Sequence, residues 1–294
     1  MSRKGTVVIT GATSGLGLLS AIELGKRNFN LILTARSRAR AEAAKARIME
    51  AAPSANIEFF YGDLSLMKDV ARIGNDIATS VPQIDVLLNN AGIHAFTPRV
   101  TKERFPEMIA VNYLAPWLLT HMLRPSLLNA GHARVVNVAS EASRRHGVLK
   151  LPDDLTDTTP FTSRGSSLIY GKTKLLNIMF TAELARRWAG TGITANALNP
   201  GFNVTGLGRE LRFAGVLERI LKTLRIGDPR RGTDIIVKLI VEPEYQNLSG
   251  GYFNVGTGKA ITPVPPGGDI AMQKRLWECT DELLKESVPS LHGY

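Results

Sequence analysis

The chain has 294 residues, 44% hydrophobic and 21% charged, a composition ordinary for a soluble globular protein and a length sufficient to bury a sizeable core. A single cysteine, Cys279, excludes an internal disulfide framework and points to a reducing, cytoplasmic setting. The net charge of +10 comes from basic residues scattered in runs of no more than two, without a nucleic-acid motif, so a phosphate-rich small molecule or an anionic membrane surface fits better than nucleic acid.

No Pro/Gly/Ser-rich linker and no internal repeat divides the chain, so one domain is expected over 1–294. No stretch reaches 18 uninterrupted apolar residues, and the first apolar run is too short for a signal peptide, so no integral membrane segment is expected. That first run, Thr6–Thr10, reads as a buried strand. It ends in the turn Thr10-Gly11-Ala12-Thr13-Ser14-Gly15-Leu16-Gly17, and Leu16–Lys26 reads as the helix behind it. Strand, glycine turn and helix suit a dinucleotide pyrophosphate: Gly11 permits the turn, Gly15 lets backbone approach the phosphates, Gly17 lets the helix pack on the strand, and the helix N-terminus offers free N–H groups. Alone, the same turn serves equally as a tight strand-to-helix connection.

The second strand, Asn30–Thr34, runs into Ala35 and Arg36, with Arg38 and Arg40 close behind. An acid here would bind ribose hydroxyls, whereas a guanidinium favours a 2′-phosphate, so NADP(H) is expected over NAD(H). Ser37–Ala52 is a helix closed by Pro53, and Asn56–Tyr61 is a third strand ending at Gly62-Asp63-Leu64. Asp63 can accept from an adenine amino group or cap the next helix. A fourth strand, Ile84–Asn89, leads into Asn89-Asn90-Ala91-Gly92, small enough for a ribose to lie against the backbone. Val100–Asn129 reads as largely helical, with Asn112, a mediocre helix former, in its interior. A fifth strand, Ala133–Ser140, delivers Ser140 to the edge where ligands bind in parallel sheets, and Ser143 is a second candidate serine. The polar stretch from Arg144 to Gly165 holds Asp153, Asp154 and Asp157, whose spacing matches turn chemistry rather than a calcium loop. On the helix Ser167–Gly190, Tyr170 and Lys174 share one face at i, i+4. A sixth strand, Thr191–Leu198, breaks at Asn199-Pro200-Gly201; the amphipathic segment Gly206–Leu224 then suits either core packing or a substrate lid spanning about 202–227. Gly251–Val255 is a last strand and Ala271–Glu286 a terminal helix.

Taken together, these residues resemble the short-chain dehydrogenase/reductase family: Thr10–Gly17 fits its TGxxxGxG turn, Asn89–Gly92 its NNAG, Tyr170–Lys174 its YxxxK and Pro200-Gly201 its PG. Val111-Asn112-Tyr113-Leu114, Arg134–Ser140, Ser249–Phe253 and Arg275–Glu278 resemble its retinol dehydrogenase and WW-domain oxidoreductase branch. The resemblance implies an α/β fold: a single Rossmann-type doubly wound parallel β-sheet of about seven strands, with helices on both faces. It implies NADP(H) held by Gly11, Thr13, Ser14, Gly15, Leu16, Gly17, Arg36, Asp63, Leu64, Asn90, Ala91, Gly92, Tyr170, Lys174, Pro200, Gly201 and Thr205. It implies Tyr170 as catalytic acid/base, Lys174 lowering its pKa and holding the nicotinamide ribose, Ser140 donating to the substrate oxygen, and Asn112 holding a relay water. Together these amount to reversible hydride transfer to a carbonyl of a lipophilic small molecule, with no metal. Ser140 and Tyr170 are 30 residues apart, wider than the family's usual spacing but found in this branch. The added residues precede a helix that commonly forms dimer contacts, so a homodimer is an expectation left open. Two competing readings are reduction of a carbon–carbon double bond, whose known enzymes use a cysteine in the substrate region, and NADPH sensing without turnover, which usually goes with loss of the Tyr or Lys.

Overall fold

A computed structural model describes residues 5–201 and 228–288. Seven strands form one sheet: β1 (Thr6–Ile9), β2 (Asn30–Ala35), β3 (Asn56–Tyr61), β4 (Val86–Asn89), β5 (Ala133–Val138), β6 (Ile193–Asn199) and β7 (Tyr252–Asn254). Their order is β3-β2-β1-β4-β5-β6-β7, with every neighbouring pair parallel. This is the doubly wound arrangement, and the order reverses between β1 and β4, where a ligand crevice opens beyond the strand ends.

Side chains alternate along a strand, so each central strand feeds two cores. Val7, Ile9, Leu31, Leu33, Val86 and Leu88 face one layer, packed by α1 (Gly15–Lys26), α2 (Arg38–Ala51) and α7 (Pro229–Val241). Val8, Ile32, Leu87 and Val135 face the other. That side is packed by α3 (Met67–Ser80), α4 (107–122), α6 (Ser163–Arg187) and α8 (Ile270–Ser287). Helix α4 is a composite of Glu107–Ile109, a π turn Ala110–Leu114, and Ala115–Met122; a short α5 (Arg124–Asn129) follows.

A buried polar ladder ties helices to the sheet beneath the crevice. Asn89 Nδ2 donates to Asn137 Oδ1 at 2.8 Å and to Thr120 Oγ1 at 3.1 Å, linking β4, β5 and α4. Asn137 Nδ2 donates to Thr181 Oγ1 at 2.8 Å on α6, and Thr181 in turn donates to the Asn177 carbonyl at 2.6 Å.

Several sequence expectations shift. The helical part of Val100–Asn129 begins only at Glu107; before it Val100 bridges Pro106 in antiparallel fashion. Glu103, in that loop, accepts from the N–H groups of Met67 and Lys68, so it caps α3 while Asp63 does not. Strand β5 stops at Val138, leaving Ser140 as N-cap of a 3-10 turn, Glu141–Arg145, which runs into the start of the polar stretch from Arg144. Helix α6 starts at Ser163, earlier than expected, and α3 and α7 stand outside the elements read from sequence. Thr205 and the 202–227 segment lie outside the described residues.

The ladder is testable. Asn137→Ala leaves Asn89 and Thr181 each short of a buried partner, and the expected loss is about 2–3 kcal/mol in urea unfolding. A loss below about 0.5 kcal/mol would show that these bonds do not hold the helices to the sheet.

Candidate active site

The site begins where β1 ends. Thr10 Oγ1 accepts from the N–H groups of Asn90 and Ala91, each at 3.0 Å, while Asn90 Nδ2 donates to the Thr10 carbonyl at 2.9 Å. These bonds lash the glycine turn to the turn after β4. A Cβ on Gly17 would stand 2.4 Å from both the Gly11 carbonyl oxygen and Asn90 Nδ2. The close approach that requires glycine is therefore of the start of α1 onto the turns that follow β1 and β4, where the expectation has the helix packing on the strand itself. Ser14, the N-cap of α1, makes no side-chain cap bond, so the helix N-terminus presents its N–H groups to the crevice.

The next segment of the crevice is cationic. Arg36, Arg40, Asp63 and Leu64 line it, with Arg36 Nη1 3.8 Å from Asp63 Oδ2. Asp63 Oδ1 also accepts from the Ser65 N–H at 3.0 Å. Arg38 lies over the Tyr61 ring instead, its guanidinium carbon 4.6 Å from the centroid.

Ser140, Tyr170 and Lys174 meet at the other end of the crevice. The Ser140 hydroxyl hydrogen-bonds the phenol of Tyr170, opposing burial, which pushes the phenol up to about 12. Lys174 is 3% exposed, its Nζ donates to the Val138 carbonyl at 2.8 Å, and burial pushes it down to about 8. Nζ lies 5.7 Å from the phenol centroid. Asn112, in the π turn, donates to the Ile93 carbonyl at 2.9 Å and to Thr173 Oγ1 at 3.0 Å, and accepts from the Ile93 N–H at 2.8 Å. Ser143 is buried beside Tyr252, outside the crevice. Asp154 pairs with Lys172 at 2.5 Å, and no cluster of metal-ligating side chains occurs among the described residues.

The crevice, about 290 Å³, runs without a break from Arg36 and Arg40 past Gly11–Leu16, Asn90, Ala91 and Gly92 to Ser140, Tyr170, Lys174, Pro200 and Gly201. Uncapped helix amides at its middle and guanidiniums at one end together fit a dinucleotide. Sequence reasoning missed Thr34, Ile93, Glu107, Val111 and Val138, which also line it. Of these, Ile93 directly follows the Asn-Asn-Ala-Gly run and was within reach of that signal.

The chain belongs to the short chain dehydrogenase family, whose sequence profile matches residues 5–151, and it is an oxidoreductase of that family. It is 32% identical over 295 residues to retinol dehydrogenase 14 of Homo sapiens, covering 95% of this chain and 86% of that one. An uncharacterised protein from Mycobacterium paratuberculosis superposes with a TM-score of 0.74 at 28% identity, covering 96% of this chain and 94% of the other. A candidate NAD(P)-dependent gluconate 5-dehydrogenase from Beutenbergia cavernae, carrying NADP at low occupancy, gives 0.66 at 25% identity, covering 86% and 95%. Among the described residues no helix is long and apolar enough to cross a membrane.

The shift on Lys174 has a sign that can be measured. Its folded pKa of about 8 lies below the ordinary 10.5, so the folded chain holds this proton less tightly than the unfolded chain. Burial of the ammonium therefore destabilises fully below pH 8, and the effect fades as pH rises from 8 to 10.5. Cofactor-free Lys174→Met should be more stable than the parent at pH 7 by about 2 kcal/mol, once the lost bond to Val138 is set against the relief of burial. Unfolding titrations at pH 7 and pH 10.5 check this; an equal difference at both would overturn it.

Proposed function

We propose that this oxidoreductase uses NADP(H) to interconvert a carbonyl and an alcohol on a lipophilic molecule, with a retinoid as the first substrate to try. The observation that carries this reading is one continuous crevice with Arg36 and Arg40 at one end and Ser140, Tyr170 and Lys174 at the other. Guanidiniums where an acid would contact ribose hydroxyls favour a 2′-phosphate. Ile93 and Val111 line the reacting end, and Met108, Phe161 and Ile169 pack around Tyr170, which suits an apolar substrate. The name of the human relative, a retinol dehydrogenase, points the same way.

Bound NADPH supplies the hydride in the reducing direction. Tyr170 donates its proton to the carbonyl oxygen, and Ser140 donates a hydrogen bond to that same oxygen, so developing negative charge meets two donors. The Lys174 ammonium favours the phenolate that remains. Lys174 Nζ and Asn112 Oδ1 flank one small space, 3.4 and 3.5 Å from where a Cβ on Gly92 would stand. Asn112 Oδ1 has one lone pair left after accepting from Ile93, enough to hold the water that reprotonates Tyr170 through Lys174.

Oxidation of NADPH and of NADH against retinaldehyde and a panel of apolar ketones and aldehydes tests this. Turnover with NADPH is expected. Arg36→Ala should raise the KM for NADPH by about tenfold or more, a loss of about 1.4 kcal/mol, and leave that for NADH within about twofold. Tyr170→Phe should abolish turnover while cofactor binding persists. A preference for NADH, or a fully active Tyr170→Phe variant, would sink the reading.

A further inference from the structure

The role of Tyr170 leaves one contact unexplained. The His94 ring lies against the Tyr170 ring, centroids 4.5 Å apart and planes inclined by only 12°. Phe96 backs the histidine at 4.5 Å and 30°, making a three-ring stack. The backbone on either side of His94 is tied down. Ile93, before it, is gripped at both N–H and C=O by Asn112. Ala95, after it, accepts at 2.7 Å from the hydroxyl of Ser166, which lies one turn before Tyr170 on α6. His94 is therefore placed by the same two helices that carry Asn112 and Tyr170.

The stack supplies something the other contacts do not. Ser140 and Lys174 act at the oxygen end of the phenol and its surroundings. Rotation of the ring about χ2 leaves the phenolic oxygen where it is, and this torsion is soft, with a broad two-fold profile. Conjugation keeps the O–H bond near the plane of the ring, so the plane sets the direction in which the proton leaves. A proton donor works only when that direction meets the acceptor.

We infer that His94 is a positioning residue that clamps the plane of the Tyr170 ring and so aims its proton at the substrate oxygen. The action is that of a flat ring in contact with the phenol, so another flat ring can replace it. This inference rests on Tyr170 being the proton donor, and its first test is read without turnover.

The protein is labelled with tyrosine carrying carbon-13 at both ε positions, and the Tyr170 resonances are identified by their loss in Tyr170→Phe. A ring clamped tightly enough that its two-fold flips are slow on the shift timescale gives two ε signals, and a ring released to flip fast gives one averaged signal. Two signals are expected in the parent and in His94→Phe. One is expected in His94→Ala and in His94→Leu, the latter filling the space without a flat ring should the alanine variant fail to fold. With retinaldehyde and NADPH, kcat should fall about tenfold or more in the Ala and Leu variants with KM for NADPH unchanged, and His94→Phe should restore it to within about threefold. An averaged signal in the parent, two signals in both the Ala and Leu variants, or a released ring with kcat within about twofold of the parent would each overturn the inference. A parent inactive on retinaldehyde counts against the substrate proposal alone, because the ring signals still decide whether His94 is the clamp.

Discussion

Lys174 carries its ammonium into a place that water barely reaches, and much of the surrounding structure follows from that. It is 3% exposed, is bonded to the Val138 carbonyl, and has no carboxylate partner among the described residues. An unpaired buried cation costs several kcal/mol. The neighbouring phenol is also disfavoured as an ion, since burial pushes Tyr170 up to about 12. Each charge alone is costly, yet the two together would attract, with the ammonium 5.7 Å from the centroid of the phenol ring. An environment that makes the lysine uncomfortable is thus one that makes a phenolate beside it comparatively acceptable, which is what the proposed role of Tyr170 requires.

Such a charge needs a rigid setting, and hydrogen bonds supply it from below and from the side. The Asn89–Asn137–Thr181 ladder fixes α6 against β4 and β5 under the crevice. From the side, Asn112 reaches both the loop after β4 and Thr173 on α6. A straight α-helix would have continued past Asn112; the π turn Ala110–Leu114 interrupts it where that side chain spans two elements. Isolated π turns of this kind commonly mark functional positions.

The sheet and the site residues were legible in sequence because each is announced locally: β-branched runs, a glycine turn, Tyr and Lys four apart. Part of the rest depends on distant residues. Helix α3 has Asp69 in its first turn but no local cap, since its cap comes from Glu103, 36 residues beyond Met67. The starts of α4 and α7 are signalled locally, α4 by Pro106 as its N-cap and α7 by Asp228-Pro229, with Asp228 accepting from the Arg230 N–H. The stack of His94 on Tyr170 is different in kind, because no pattern in a single sequence says that a residue of the β4 loop will lie flat on a ring of α6.

The wide gap between Ser140 and Tyr170 shows how the chain keeps short-range chemistry across long-range insertions. Five consecutive residues of α6 point outward at steps of about 100° and each meets a different neighbour. Tyr170 meets Ser140 and His94, Thr173 accepts from Asn112, and Lys174 reaches Val138. Lys172 pins the insertion by pairing with Asp154, whose neighbour Leu155 is buried in the core. Gly171 supplies the remaining contact by having no side chain: a Cβ there would stand 2.5 Å from the Ala142 carbonyl oxygen and 2.4 Å from that of Arg145. The 3-10 turn that begins at Ser140 therefore lies directly on the helix backbone beside Tyr170. Residues between Arg145 and Ser163 can loop outward without moving the serine, because its place is set by this contact and by the end of β5. A side chain at position 171, next to the tyrosine itself, would lift that turn and take the serine hydroxyl away from the phenol.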